Sequence, residues 1–172
     1  SRLTNPTTAA LEARLAALEG GRGCTATASG HSAQIMAFFP LMSAGDNIVA
    51  SNKLYGGSIA QMKNSYPKFG WQVKFVDADD PENFRKAADA KTKAFFCESL
   101  ANPGGVVSDM EAIAKIAESV GVPLIVDNTM ASPYLCRPIE HGATIVVHST
   151  TKFLSGNGTA IGGAIVDSGT FD

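Results

Sequence analysis

Apolar positions along the chain follow two alternating rhythms. The clearest helical stretch runs from Ser108 to Gly121. Ser108 and Glu111 have capping-box spacing, and Ile113, Ile116, Ala117 and Val120 follow at helical intervals. Gly121 suits the position just past a helix, and Pro123 lies beyond it. The apolar run 123–127 comes at once and predicts a buried strand. The same alternation recurs throughout. Leu11, Leu15 and Leu18 mark a first helix ending near Gly20. A strand over 24–28 and a helix over 31–42 follow, then a strand over 47–51 and a helix over 58–68. Beyond these come a strand at 73–76, a helix at 81–89 capped by Asp80, and strands at 94–98, 144–148 and 160–166.

Strands alternating with helices predict an α/β fold, a three-layer α/β/α arrangement around a mostly parallel sheet. No internal repeat and no linker interrupts residues 1–172, which are read as one domain. Sheets of this kind bind ligands beyond the carboxyl ends of their strands. Ser51, Glu98, Asp127 and the pair His148–Ser149 stand at those ends.

Composition narrows the partners. The chain is 45% hydrophobic with a formal net charge of -2, without the basic patch that nucleic acid or an anionic membrane would favour. No apolar run reaches transmembrane length. Cys24, Cys97 and Cys136 form no C-x-x-C pair and read as small buried hydrophobes in a reducing, cytoplasmic compartment. The three histidines form no ligand cluster, so no metal site is expected. His141 precedes Gly142 at a helix end, and His148 is expected to support a site rather than to ligate. The chain opens at Ser1 without Met, which suggests a fragment of a longer protein.

Several segments carry candidate chemistry. Lys152 follows a strand in the hydroxyl-rich S-T-T-K segment. In a partly dry pocket such a lysine can form a Schiff base; on the surface it is an ordinary solvated lysine. Ser149 and Thr151 offer hydroxyls to a phosphate. Asp127 ends an apolar strand, where a carboxylate could hold a protonated pyridine nitrogen or cap a turn. Gly30 and His31 open a predicted helix, whose free amides favour a phosphate. Tyr55 could stack on a planar ring, and Asn102 could bond a ring hydroxyl or order the turn before Pro103.

In their order these segments resemble the Cys/Met-metabolism family of fold-type-I pyridoxal-phosphate enzymes. The resemblance covers the whole chain and rests on quoted runs: S-R-L-T-N-P-T at the start, A-S-G-H-S-A at 28–33, Y-G-G-S at 55–58, E-S-L-A-N-P at 98–103, V-D-N-T-M-A-S-P at 126–133 and H-S-T-T-K-F-L-S-G-N-G at 148–158. It implies pyridoxal 5'-phosphate as cofactor and Lys152 as the lysine that binds it covalently and later shuttles protons. Asp127 would pair with the pyridine nitrogen. Tyr55 would stack on the ring and assist proton transfer, and Asn102 would approach the ring hydroxyl. Gly30 and His31 would give backbone amides to the phosphate, with Ser149 and Thr151 adding hydroxyls. Arg2 would reach the phosphate of a neighbouring subunit, which implies a homo-oligomer, a tetramer. His31 stands where methionine is usual, Leu100 where proline is common, and Asn157 where histidine is frequent.

Within the family, P-Y-L-C-R-P-I-E-H-G-A at 133–143 most resembles the O-acetylhomoserine sulfhydrylase branch. That branch implies exchange of the acetoxy group of O-acetyl-L-homoserine for sulfide, from free sulfide or a sulfur carrier. Methionine γ-lyase and cystathionine γ-synthase or lyase chemistry are the alternatives inside the family. A non-catalytic nucleotide-binding α/β domain is the alternative outside it. The resemblance also implies a C-terminal domain that grips the substrate carboxylate, so this chain alone is expected to be inactive.

Overall fold

The computed structural model describes residues 4–171. Helix α1 (Pro6–Glu19) starts on Asn5, whose side chain accepts from the amides of Thr7 and Thr8, and ends at Gly20 in the left-handed region. Strand β1 (Gly23–Thr27) leads to α2 (Gly30–Phe38), and β2 (Asn47–Ser51) to α3 (Gly56–Asn64). Strand β3 (Gln72–Val76), helix α4 (Glu82–Ala87), β4 (Thr92–Glu98), α5 (Met110–Val120) and β5 (Leu124–Asp127) follow. The short α6 (Ser132–Leu135), β6 (Ile145–Ser149) and β7 (Gly163–Asp167) complete the order.

The seven strands form one sheet in the order β1-β7-β6-β5-β4-β2-β3. Neighbours run parallel except at β7, which is antiparallel to both β1 and β6. The strand expected at 160–166 is therefore the one that runs against the rest. Side chains alternate between two cores. Leu15, Phe84, Ile113 and Ile116 pack beneath Val126 and Val146, while Ala33, Phe38 and Met62 pack over Phe96, Ile125 and Val147. Helices on both faces make the α/β/α layering expected from the sequence. Each buried Leu, Ile or Phe contributes roughly 1.5–3 kcal/mol of burial.

The firmest helix predicted is present, but its cap differs. Asp109 accepts from the Ala112 amide, while Ser108 Oγ donates to the Glu98 carbonyl. Glu111 lies against His141 Nδ1 at 3.0 Å instead of turning back to the cap. The stretch 58–68 divides into α3 and a separate 3-10 turn over Tyr66–Phe69.

The topology fixes where a site can form. Strands β2, β4, β5 and β6 end together at Ser51, Glu98, Asp127 and Ser149. Helix α2 packs across β6 and β7, so its first turn lies over the end of β6. The approach is close: a Cβ on Gly30 would stand 2.7 Å from Ser149 Cβ and 3.0 Å from its Cα. Only glycine lets the helix start sit there.

Candidate active site

A cavity of about 640 Å³ opens at this edge. Its lining includes Gly30, His31, Tyr55, Asn102, Asp127, Ser149, Thr151 and Lys152. The eight candidates that fall within the described residues thus share one pocket. Arg2, the ninth, lies outside the described residues.

Asp127 sits on its floor, 9% exposed. Its Oδ1 accepts from the Thr129 amide at 3.0 Å and from Thr129 Oγ1 at 2.5 Å. Its Oδ2 accepts from Gln34 Nε2 at 3.0 Å, and the same nitrogen donates to Ser58 Oγ at 2.8 Å. Thr129 Oγ1 in turn accepts the Ser149 amide at 2.8 Å. One hydroxyl therefore ties the end of β5 to the end of β6, and so the carboxylate to the loop bearing Lys152.

The start of α2 forms the opposite wall. Ser29 caps the helix by accepting from the Ser32 amide, and the first intrahelical bond runs from the Ala33 amide to the Ser29 carbonyl. The amides of Gly30 and His31 thus lie ahead of the hydrogen-bond ladder, where a helix start attracts anions. Ser149 borders them directly. Thr151 Oγ1 is already engaged, donating to the Gly162 carbonyl and accepting the Gly162 amide. Its hydroxyl pins the loop onto the segment before β7.

Tyr55 is 47% exposed and stacks on His31, with ring centroids 6.2 Å apart and planes inclined by 28°. A Cβ on Gly57 would run into both rings, so position 57 must be glycine for the tyrosine to lie over the cavity. Lys152 lines the cavity but is exposed within this chain; the dry surroundings expected of it are not supplied by the described residues.

Among the other lining residues, Gln34, Ser58, Thr129 and Glu98 hold the assigned ones in place, a role the sequence did not reveal, although Glu98 stands at one of the strand ends named above. Gln34 is the one polar side chain among the buried residues of α2, and its Oε1 is buried without a partner. Ser58 accepts from it. Thr129, two residues after Asp127, follows the Asx-turn spacing that could have marked it. Glu98, 4% exposed, accepts from the Tyr55 amide at 2.6 Å and the Asn102 amide at 2.9 Å. Burial pushes its carboxyl up to about 7 against the pull of these two amides, and the nearby Asp127 charge adds to the rise.

His148 points the other way. It is fully buried on the face opposite the cavity, with Nε2 2.5 Å from Glu19 Oε1. Asn128 Nδ2 donates to the same oxygen and to the Cys136 carbonyl. This network backs the site without lining it.

The cavity suits pyridoxal phosphate on its own terms. It has an anion-binding helix start closed in by Ser149, a buried carboxylate held from both oxygens, an aromatic lid and an amine. The profile of the family described as Cys/Met metabolism PLP-dependent enzyme matches residues 1–172. The chain belongs to this family. It is 56% identical over 172 residues to O-acetyl-L-homoserine sulfhydrylase of Leptospira meyeri, spanning 100% of this chain and 39% of that protein. Against homocysteine/cysteine synthase of Saccharomyces cerevisiae it is 50% identical, over 99% of this chain and 39% of that one. It superposes with a TM-score of 0.96 on a candidate O-acetylhomoserine (thiol)-lyase of Campylobacter jejuni, at 42% identity over 99% of this chain and 42% of that one. That structure holds N'-pyridoxyl-lysine-5'-monophosphate. The chain thus spans about two fifths of the length of these relatives. No described helix is long and apolar enough to cross a membrane.

Proposed function

We propose that the intact protein containing this chain replaces the acetoxy group of O-acetyl-L-homoserine with sulfide, forming homocysteine and acetate. What carries the reading is one cavity lined by an amine, a doubly held carboxylate, an aromatic ring and a free helix start. The sulfhydrylase name of the Leptospira relative at 56% identity supports the choice of substrate.

Pyridoxal phosphate, when bound, draws electrons from the carbons next to the substrate amine. The protein's part follows from its residues. The amides of Gly30 and His31, with Ser149, hold the phosphate. Asp127, fixed by Thr129 and Gln34, orients the ring through its nitrogen. Tyr55 covers one ring face, and Asn102 meets the ring hydroxyl. Lys152 anchors the ring covalently and carries protons at its Nζ. Thr151 shapes the phosphate end by fixing the lysine loop to Gly162.

The protein is read as cytoplasmic, in keeping with three free cysteines. It is read as a homotetramer in which a neighbouring subunit covers Tyr134, Leu135, Phe153 and Ile161, exposed by 91%, 72%, 60% and 79% here. Arg2 would reach that neighbour's phosphate. The deciding assay offers the intact protein O-acetyl-L-homoserine plus sulfide, methionine alone, or cystathionine alone. Homocysteine from the first mixture is expected. Turnover of methionine or cystathionine with none of the first would overturn the reading.

A further inference from the structure

Glu98 lines the cavity with both carboxylate oxygens already committed to backbone amides. Its two oxygens are divided. Oε1 takes the amide of Tyr55 at the start of α3, and Oε2 takes the amide of Asn102 in the loop after β4. These are two separate loops, and each bears a residue assigned above to the cofactor ring. The Glu98 backbone is fixed independently, by its register opposite Asp127 in the β4–β5 pair and by Ser108 Oγ on its carbonyl. A single carboxylate on a rigid strand end therefore sets the positions of both loops.

We propose that Glu98 is a positioning residue, a carboxylate brace that seats Tyr55 and Asn102 on the cofactor ring and releases one of them when it takes up a proton. The inference rests on the cavity's holding pyridoxal phosphate as described above. An ionised carboxylate presents lone pairs to both amides at once. A proton on either oxygen turns that oxygen's O–H toward, or beside, an N–H that needs an acceptor. The protonated oxygen keeps only a weak acceptor, so one amide of the pair loses its charge-assisted bond and the loop it belongs to is loosened.

The surroundings place the change in the neutral range. Glu98 shares the cavity lining with Asp127 of β5, Lys152 of the loop after β6, His31 of α2 and Tyr55, with Cys97 preceding it on β4, and among these Asp127 acts on its charge. Burial raises its carboxyl to about 7, the amides oppose the rise, and Asp127 reinforces it. The brace is closed above that pH and open below it.

The test uses the intact protein with its cofactor fixed by borohydride, which leaves a fluorescent pyridoxyl group that no longer exchanges with the lysine. Its fluorescence polarisation and intensity are followed from pH 5.5 to 9 in wild type, Glu98→Gln and Glu98→Asp. Wild type is expected to show one step with a midpoint near 7. Glu98→Gln, which cannot ionise, should lose the step. Glu98→Asp, with a carboxylate too short to reach both amides, should regain a step at a displaced midpoint. A wild-type step that persists unchanged in Glu98→Gln would overturn the brace. Should Glu98→Gln fail to fold, an unmoved midpoint in Glu98→Asp overturns it equally. Absence of any fixed pyridoxyl group in wild type would instead refute the cofactor reading on which the brace depends.

Discussion

Gly30 offers the sharpest single perturbation of the phosphate end. In Gly30→Ala the new Cβ would lie 2.7 Å from Ser149 Cβ and 3.0 Å from Ser149 Cα. Ordinary carbon contacts are about 3.5–4.0 Å, so the first turn of α2 and the β6 end must part by about 1 Å. Overpacking of this size costs about 1–3 kcal/mol of stability. The same movement withdraws the Gly30 and His31 amides from the phosphate they are proposed to hold. A hydrogen bond to a charged group contributes about 1.5–3 kcal/mol, so loss of one weakens cofactor binding by roughly 10–100-fold. Gly56→Ala is the matched control. It also opens a helix, α3, yet has nothing within 4 Å of its added Cβ. Urea unfolding of the apoprotein and fluorescence titration with pyridoxal phosphate, in the intact protein, read both effects. If Gly30→Ala matches Gly56→Ala in stability and in affinity, the close approach of α2 to Ser149 is wrong.

Glu19→Ala removes the acid from a fully buried acid–imidazole pair and leaves His148 and Asn128 without their shared acceptor. The expected loss is about 3–5 kcal/mol, read by urea unfolding; an unchanged midpoint would refute a supporting role for the network. Glu98 gives a pH signature. Its carboxyl rises from an ordinary 4.5 to about 7 in the folded chain, so the folded state holds the proton more tightly. The stability this contributes is fully present below 4.5 and is lost as pH climbs through about 7, a fall of roughly 3 kcal/mol. Glu98→Gln should flatten that part of the stability curve; a variant curve with the wild-type slope would contradict the assignment.

The layers and the site edge were legible because they rest on local pattern. Ile113, Ile116 and Ala117 form a stripe that can face only a core, and the apolar run ending at Asp127 can only be a covered strand. What escaped depends on contacts distant in sequence. Ser108 and Asp109 are both good caps, and the choice turns on the Glu98 carbonyl drawing away the serine hydroxyl. The direction of β7 is set by its pairing between β1 and β6, which its own residues do not encode. His148 sits one residue from Ser149, but the two-residue period of a strand sends it to the opposite face, where Glu19 awaits it 129 positions away. Gln34 lies in no quoted run, and Glu98, though it opens E-S-L-A-N-P at a strand end, carries no sequence sign of what its carboxylate holds. Their roles come from where Asp127, Tyr55 and Asn102 are placed around them.

Everything proposed for the site depends on Lys152 holding pyridoxal phosphate in this cavity. The direct measurement is borohydride reduction of the intact protein loaded with the cofactor, followed by proteolysis and mass spectrometry. A pyridoxyl group is expected on the peptide containing Lys152 and none in Lys152→Arg. A pyridoxyl group on another lysine, or the same labelling in Lys152→Arg, would contradict it.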